Sequence, residues 1–570
     1  MAKIIYLCLR DPESMTDFPE RIELLSRRLV PDNIKPNPPI ILKNQGIWIG
    51  VINPTTKFLT HGTSICIGSP IFIPDDWWKP GGKDPDGTYA LFRSDQNFVE
   101  IGSDVVASRT IWYCLTDKFL IASSSQRAIV SFLGDFQVNK LAFPYMLASG
   151  VLGPNYSWDE RIHYIESDEH LKLNRRTWQI FRNQVDFELQ PVNRSRNEHK
   201  TLLKTALKRV FEDIDFDSNK WLLTLSGGLD SRGILAMLEN KKEIKCVTWG
   251  PKSSLADPHS DAAIAEKVAA EFQVKQQFFE TDPPLLEKGE TILDRFIEAG
   301  EGRIDHFSGY RDGFQIWKKI FETGCSGIIR GDQFLGAMPI TTDKNVLANM
   351  NYHILSDYSN LPSNEYFGLP EQILPDKYLR RPNESITAWA YRIRRNIKMV
   401  NELAALNEIK TGYVEVMNPL LSRRVINIIK TIPYQLNQNR KLFREIISEI
   451  SPKIEFSIET SGNTEEILRE PFFLNPILKE LKSEEIKKWV SKNLIEFILS
   501  NFQSAVIPQN KANWELVKQK IKKFFPGITG LTKIFARKIN LDYRQLAFRT
   551  FIISRMCKLL SEDANLFKTE

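Results

Sequence analysis

The stretch WLLTLSGGLDSRGILAML, residues 221–238, constrains this chain more than any other. WLLTL is an apolar run of strand length, RGILAML has the apolar spacing of a helix, and Ser-Gly-Gly stands between them. A glycine-rich turn that ends a strand and opens a helix directs backbone N–H groups and the positive end of the helix dipole at one point, and that point favours an anion. Gly227 and Gly228 let the main chain approach such an anion closely, and the hydroxyls of Ser226 and Ser231 add donors. Asp230 carries the same sign as a phosphate and would repel it unless a cation intervenes. A Mg2+ held by Asp230 and by phosphate oxygens removes the conflict. The turn lacks the G-x-x-x-x-G-K-[ST] spacing of a Walker A loop and the G-x-G-x-x-G of a dinucleotide-binding turn.

At 570 residues the chain is too long for one core. Its 42% apolar and 26% charged content is that of a water-soluble globular protein. A net charge of +6, spread along the whole length, does not argue for nucleic acid as a partner. The Lys-rich tract KQKIKKFF (518–525) reads as a solvated helix face. The six cysteines include no C-x-x-C pair and several sit in apolar runs, which predicts buried free thiols. The first residues have no signal-peptide pattern, and no apolar run reaches the ~18 residues of a membrane span. The expectation is a cytoplasmic protein without a membrane partner.

Residues 1 to about 190 read as short strands separated by turns such as GGKDPDGT, a layered α+β arrangement. From about 200, apolar strands alternate with helical segments, which predicts a doubly wound α/β unit with its parallel sheet covered on both faces. From about 340 the pattern is mainly helical, and no repeat of fixed period occurs.

In that context SGGLDS resembles the PP-loop of the ATP pyrophosphatase superfamily, whose members split ATP between its α and β phosphates. Further segments resemble asparagine synthetase and its amide-forming relatives, among them β-lactam synthetase and the lasso-peptide cyclases. HSDAAIAEKVAAEFQV (259–274) resembles the helix after the second strand, GIIRGDQFLG (327–336) a second acidic loop, and GYVEVMNPLLSRRVINIIKTIP (412–433) a later segment of that family. PDGTYALF, GSDVVASRTIWYC and LIASSSQRAI follow the order of its glutaminase half. The resemblance implies an Ntn-hydrolase-like domain over 1–190, a PP-loop synthetase domain over 200–450 and a helical C-terminal extension over 451–570. It implies ATP and Mg2+ as cofactors, with Leu225, Ser226, Gly227, Gly228, Leu229, Asp230, Ser231 and Gly331 at the nucleotide and Asp230 and Asp332 on the metal. Arg440 or Lys441 would meet the leaving pyrophosphate. Glu298 and Glu301 lie where relatives place an acid near the substrate amine, although a solvated helix face has the same pattern. Trp249 either lines the adenine pocket or packs as an ordinary aromatic.

The departures from that family are equally specific. Its glutaminase uses a cysteine at the second position, and here that position is Ala2, so glutamine hydrolysis is expected to be absent. Gln333, Met417, Leu420 and Ser422 replace residues that relatives carry as Glu, Arg, Phe and Asp. The expected chemistry is amide-bond formation through an acyl-adenylate, from a small-molecule or peptide carboxylate and an unidentified amine. Intramolecular cyclisation and a non-catalytic binding role are the alternatives.

Overall fold

Runs rich in β-branched and aromatic residues form the first twelve strands of the computed structural model. They are β1 (Lys3–Leu9), β2 (Ile40–Asn44), β3 (Ile47–Ile52), β4 (Leu59–His61), β5 (Ser64–Phe72), β6 (Asp86–Ser94), β7 (Phe98–Ser103), β8 (Trp112–Leu115), β9 (Phe119–Ser123), β10 (His163–Tyr164), β11 (Glu169–Asn174) and β12 (Gln179–Gln184). The structure describes residues 3–215, 217–239, 241–284, 286–336, 342–457, 464–504 and 539–568. Ala2 and the tract 518–525 lie outside these residues.

The twelve strands make two six-stranded antiparallel sheets, ordered β10-β8-β9-β1-β3-β2 and β12-β11-β7-β6-β5-β4. The alternation of side chains along β1 shows how they stack. Ile4, Tyr6 and Cys8 enter a core shared with Ile65, Phe92, Ile101 and Leu171 of the second sheet. Ile5, Leu7 and Leu9 point the other way, into a core with the helices Phe18–Leu29, Gln126–Leu133 and Phe143–Ser149. A strand buried on both faces needs an unbroken apolar run, and KIIYLCL supplies it.

Five further strands form a wholly parallel sheet: β13 (Trp221–Thr224), β14 (Lys245–Gly250), β15 (Lys275–Glu280), β16 (Gly327–Ile329) and β17 (Glu415–Met417), in the order β15-β14-β13-β16-β17. Cys246, Ile329 and Met417 face the helices Leu229–Met237, Asp261–Phe272, Arg423–Thr431 and Lys441–Ile450. Val247, Ile328 and Val416 face the opposite layer, which holds Gly289–Gly300, Gln315–Glu322 and Ala404–Thr411. The expected mixture of antiparallel sheets, a parallel sheet and covering helices is present. The chain runs outward from β13 to β15 and then returns to β16, so the strand order reverses between β13 and β16, where an open α/β sheet leaves a crevice.

One apolar cluster runs from the helices under β1 to the helices under the parallel sheet. The helix Tyr543–Asp563 is embedded in it, with Leu546, Phe548, Ile552 and Met556 fully buried. Its Arg549 donates to Asp305 at 2.6 Å and to the carbonyls of Leu147 and Ala148 at 2.8 and 2.9 Å. Buried ion pairs also join the two sheet systems. Lys3 meets Glu301 at 3.2 Å and Glu408 at 3.0 Å, Arg303 also pairs with Glu408, and Arg109 donates to both oxygens of Glu415 at 2.6 Å. All six cysteines are buried and free. No described helix is long and apolar enough to cross a membrane.

His170 on β11 is held between two acids, with Nδ1 2.9 Å from Glu100 and Nε2 3.0 Å from Asp84. Burial disfavours the imidazolium, but the hydrogen bonds it donates to both carboxylates outweigh burial and lift the group from 6.5 to about 9. A folded value above the unfolded one means stabilisation that is complete below pH 6.5 and is lost as pH rises through about 9. Wild type should therefore lose roughly 3 kcal/mol of this contribution across that window. Melting temperatures of wild type and His170→Asn should converge as pH rises through it; a constant gap would contradict the charged pair.

Candidate active site

The turn after β13 is pinned at both ends. Leu225 donates its N–H to the Val247 carbonyl at 2.9 Å, and the side chains of both Leu225 and Leu229 are buried in the core and hold the turn. Gly228 precedes the helix Leu229–Met237, and no side chain caps that helix start. Its first amides are left for another acceptor. Within the turn, the Ser226 N–H donates to Ser231 Oγ at 3.1 Å and the Gly228 N–H to Ser226 Oγ at 3.2 Å. The Gly227 N–H donates to Asp261 Oδ1 at 3.0 Å, and Ser457 donates its hydroxyl to the same oxygen at 2.6 Å. A Cβ on Gly227 would lie 2.6 Å from the Cβ of Ser457, so the close approach of that segment requires glycine. Arg232 fastens the segment by donating to the carbonyls of Ile454 and Glu455 at 2.6 and 2.8 Å, with Phe456 under its guanidinium.

The turn after β16 meets the turn after β13 at the strand-order reversal. A Cβ on Gly331 would stand 2.9 Å from Asp230 Cβ and 3.1 Å from the Ser231 nitrogen. Asp332 is held by Arg330 Nε at 3.1 Å, and its negative charge bears on Asp230. The two predicted metal carboxylates thus share one neighbourhood. Burial is the main reason the Asp230 carboxyl lies above its ordinary value, Arg440 opposes that rise, and Asp332 adds to it.

Arg440 donates Nη1 to both Asp230 oxygens, at 2.8 and 2.6 Å. Asn439 and Arg440 are both left-handed, at φ 51° and 59°, and this bend precedes the helix Lys441–Ile450. Gly336, at φ 87°, leaves room for the stem: a Cβ there would lie 2.4 Å from Arg440 Cγ. Lys441 is exposed on the first turn of the helix. Of the two predicted cations, the structure brings Arg440 to the carboxylate.

Three other predicted residues lie elsewhere. Glu301 is 1% exposed and accepts from Ser125 Oγ at 2.5 Å and the Gln126 N–H at 2.7 Å besides pairing with Lys3. It caps a helix and ties the seam, so its carboxylate is engaged by Ser125, Gln126 and Lys3. Glu298 is on the exposed face of the helix Gly289–Gly300, in the field of Arg127 and Arg28. Trp249 is partly buried and packs edge-on against Trp317, with centroids 5.5 Å apart.

Arg440 also forms part of the wall of a cavity of about 630 Å3, with Leu335, Met350, Tyr391, Arg394 and Lys398 among the others. Sequence reasoning missed this cavity, the Asp261–Ser457 contact and Arg330. Arg330 directly precedes Gly331 in IIRGDQ and was open to notice; Ser457 had no signal. Among the described residues, no group of three or more metal-binding side chains occurs.

No family model matches this chain, and no curated protein matches it. Among solved structures it is similar to the glutamine phosphoribosylpyrophosphate amidotransferase from B. subtilis complexed with ADP and GMP, at 9% identity, with 49% of this chain and 65% of that chain covered and a TM-score of 0.20. A second structure, described as the allosteric regulatory enzyme of purine biosynthesis, has 9% identity, the same coverage and a TM-score of 0.21. The match spans 65% of the length of both.

Two outcomes follow from the geometry. Gly331→Ala should cost about 1–3 kcal/mol in denaturant melts, because the added methyl is forced onto Asp230. A double-mutant cycle of Asp230→Asn and Arg440→Gln should give a coupling of about 1 kcal/mol, as the pair is only partly buried. Additive effects would mean that the pair contributes nothing.

Proposed function

We propose that the chain is an asparagine synthase-like, ATP-dependent, AMP-forming carbon–nitrogen ligase that does not hydrolyse glutamine. The observation that carries this reading is the convergence of SGGLDS, Gly331, Asp332 and Arg440 at the reversal point of a parallel sheet. In this reading residues 200–450 are a PP-loop synthetase domain, residues 1–190 an Ntn-type domain without its nucleophile, and 451–570 a helical extension.

The residues present fit a nucleotide with its divalent cation. Two partly buried carboxylates stand in one neighbourhood, each paired with one arginine, and Asp230 is raised by burial and by the charge of Asp332. Mg2+ takes one or two protein carboxylates and completes its shell with phosphates and water, so a pair of acids is a sufficient donor set. Asp230 and Asp332 would hold it, and it would neutralise phosphate charge. The uncapped amides at 229–231 and the hydroxyls of Ser226 and Ser231 would bind the phosphates. Arg440 pairs with Asp230 here and would be the residue to meet pyrophosphate charge with a nucleotide bound. The remaining task of the chain is orientation of the acid against the nucleotide.

Isotope exchange between pyrophosphate and ATP, with candidate acids and magnesium, tests the reading. Exchange is expected in wild type and should fall by at least about 100-fold in Asp230→Asn and Asp332→Asn. Full exchange in either variant would refute the metal role, and glutamate release from glutamine would refute the inactive Ntn domain.

A further inference from the structure

The cavity beside Arg440 has a charge pattern that the ligase reading does not use. Four of its wall residues are cations, Arg394, Lys398, Arg440 and Arg444, and no carboxylate lines it among the described residues. Arg440 is neutralised by Asp230, and Lys398 lies 3.6 Å from Glu402. Arg394 and Arg444 form no ion pair among the described residues. The Arg394 guanidinium is fixed by the carbonyls of Gln333 and Gly336, each at 3.0 Å, and rests against Phe334. Arg444 lies over the ring of Phe456. Gln333 Oε1 is buried without a partner and is a ready acceptor for a ligand hydroxyl or amine. Such a wall places two cations without an ion-pair partner and two paired ones around a space whose volume suits one small molecule.

We infer that this cavity holds the acid substrate, and that the acid carries at least two anionic groups beyond the carboxylate to be activated. The inference rests on the ligase reading, since Arg440 is shared between the cavity and Asp230. A monocarboxylate would leave Arg394 and Arg444 without an ion-pair partner, whereas clustered carboxylates or phosphates would pair with both and with Lys398. Arg guanidinium groups favour such forked pairing.

Calorimetric titration of the full chain with tricarballylate, and with butyrate as the single-charge control, tests this. Tricarballylate should bind and butyrate should not. Lys398→Gln with Arg444→Gln should weaken tricarballylate by about tenfold or more. Arg444→Gln alone, at an exposed position, gives the same readout if the double variant melts early. Saturating ATP with magnesium in excess should not displace tricarballylate. Unchanged binding in the variants, equal binding of butyrate, or displacement by ATP would overturn the inference; displacement would hand the cavity to the nucleotide. Binding that obeys these expectations in a protein that exchanges no pyrophosphate with any acid would instead sink the ligase reading and leave the cavity a polyanion site.

Discussion

The contact between Gly331 and Asp230 is the constraint on which the candidate site depends. Two neighbouring parallel strands end side by side, and the turns that leave them must cross within van der Waals distance. Any side chain at 331 would occupy the space of Asp230. The crossing brings two carboxylates into a partly buried region, where desolvation first and the charge of Asp332 after it penalise the charged form of Asp230. Asp332 has its own partner in Arg330, and positive charge offsets the penalty on Asp230. In the structure Arg440 supplies it, reaching Asp230 from a left-handed bend that fixes its position.

The surroundings hold that arrangement from two sides. Beneath the turn, Leu225 and Leu229 are rooted in the core, and Arg232 clamps the 454–456 segment against the helix that carries Asp230. Across the seam, Lys3, Glu301, Arg303 and Glu408 form a buried network that ties β1 to the helices behind the parallel sheet. Removing one member would strand a charge away from water, a loss of about 3–5 kcal/mol. The antiparallel sheets therefore serve as the foundation of the second half, and the last helix is part of the same core.

Local grammar made much of this readable. The strand–turn–helix at 221–238 and the alternation that follows depend on neighbours within a few residues, so period and turn chemistry were enough. The choice of Arg440 over Lys441 was not readable, because it depends on the left-handed pair at 439–440. Glu301 looked like a site residue for the same reason in reverse: its partner Ser125 is 176 residues away, and no local pattern reports that bond. The cavity was invisible because its wall comes from segments around 335, 350, 394 and 440 that only the fold assembles.

The central claim is that a triphosphate tail rests on the 226–231 turn, bridged by a divalent cation to Asp230 and Asp332. A crystal structure with α,β-methylene ATP and Mn2+ tests it most directly. The account predicts phosphate oxygens on the amides at 229–231, an anomalous Mn2+ peak within reach of both carboxylates, and Arg440 turned from Asp230 to the phosphates. A nucleotide bound elsewhere, or a metal that touches neither acid while Arg440 keeps its grip on Asp230, would contradict it.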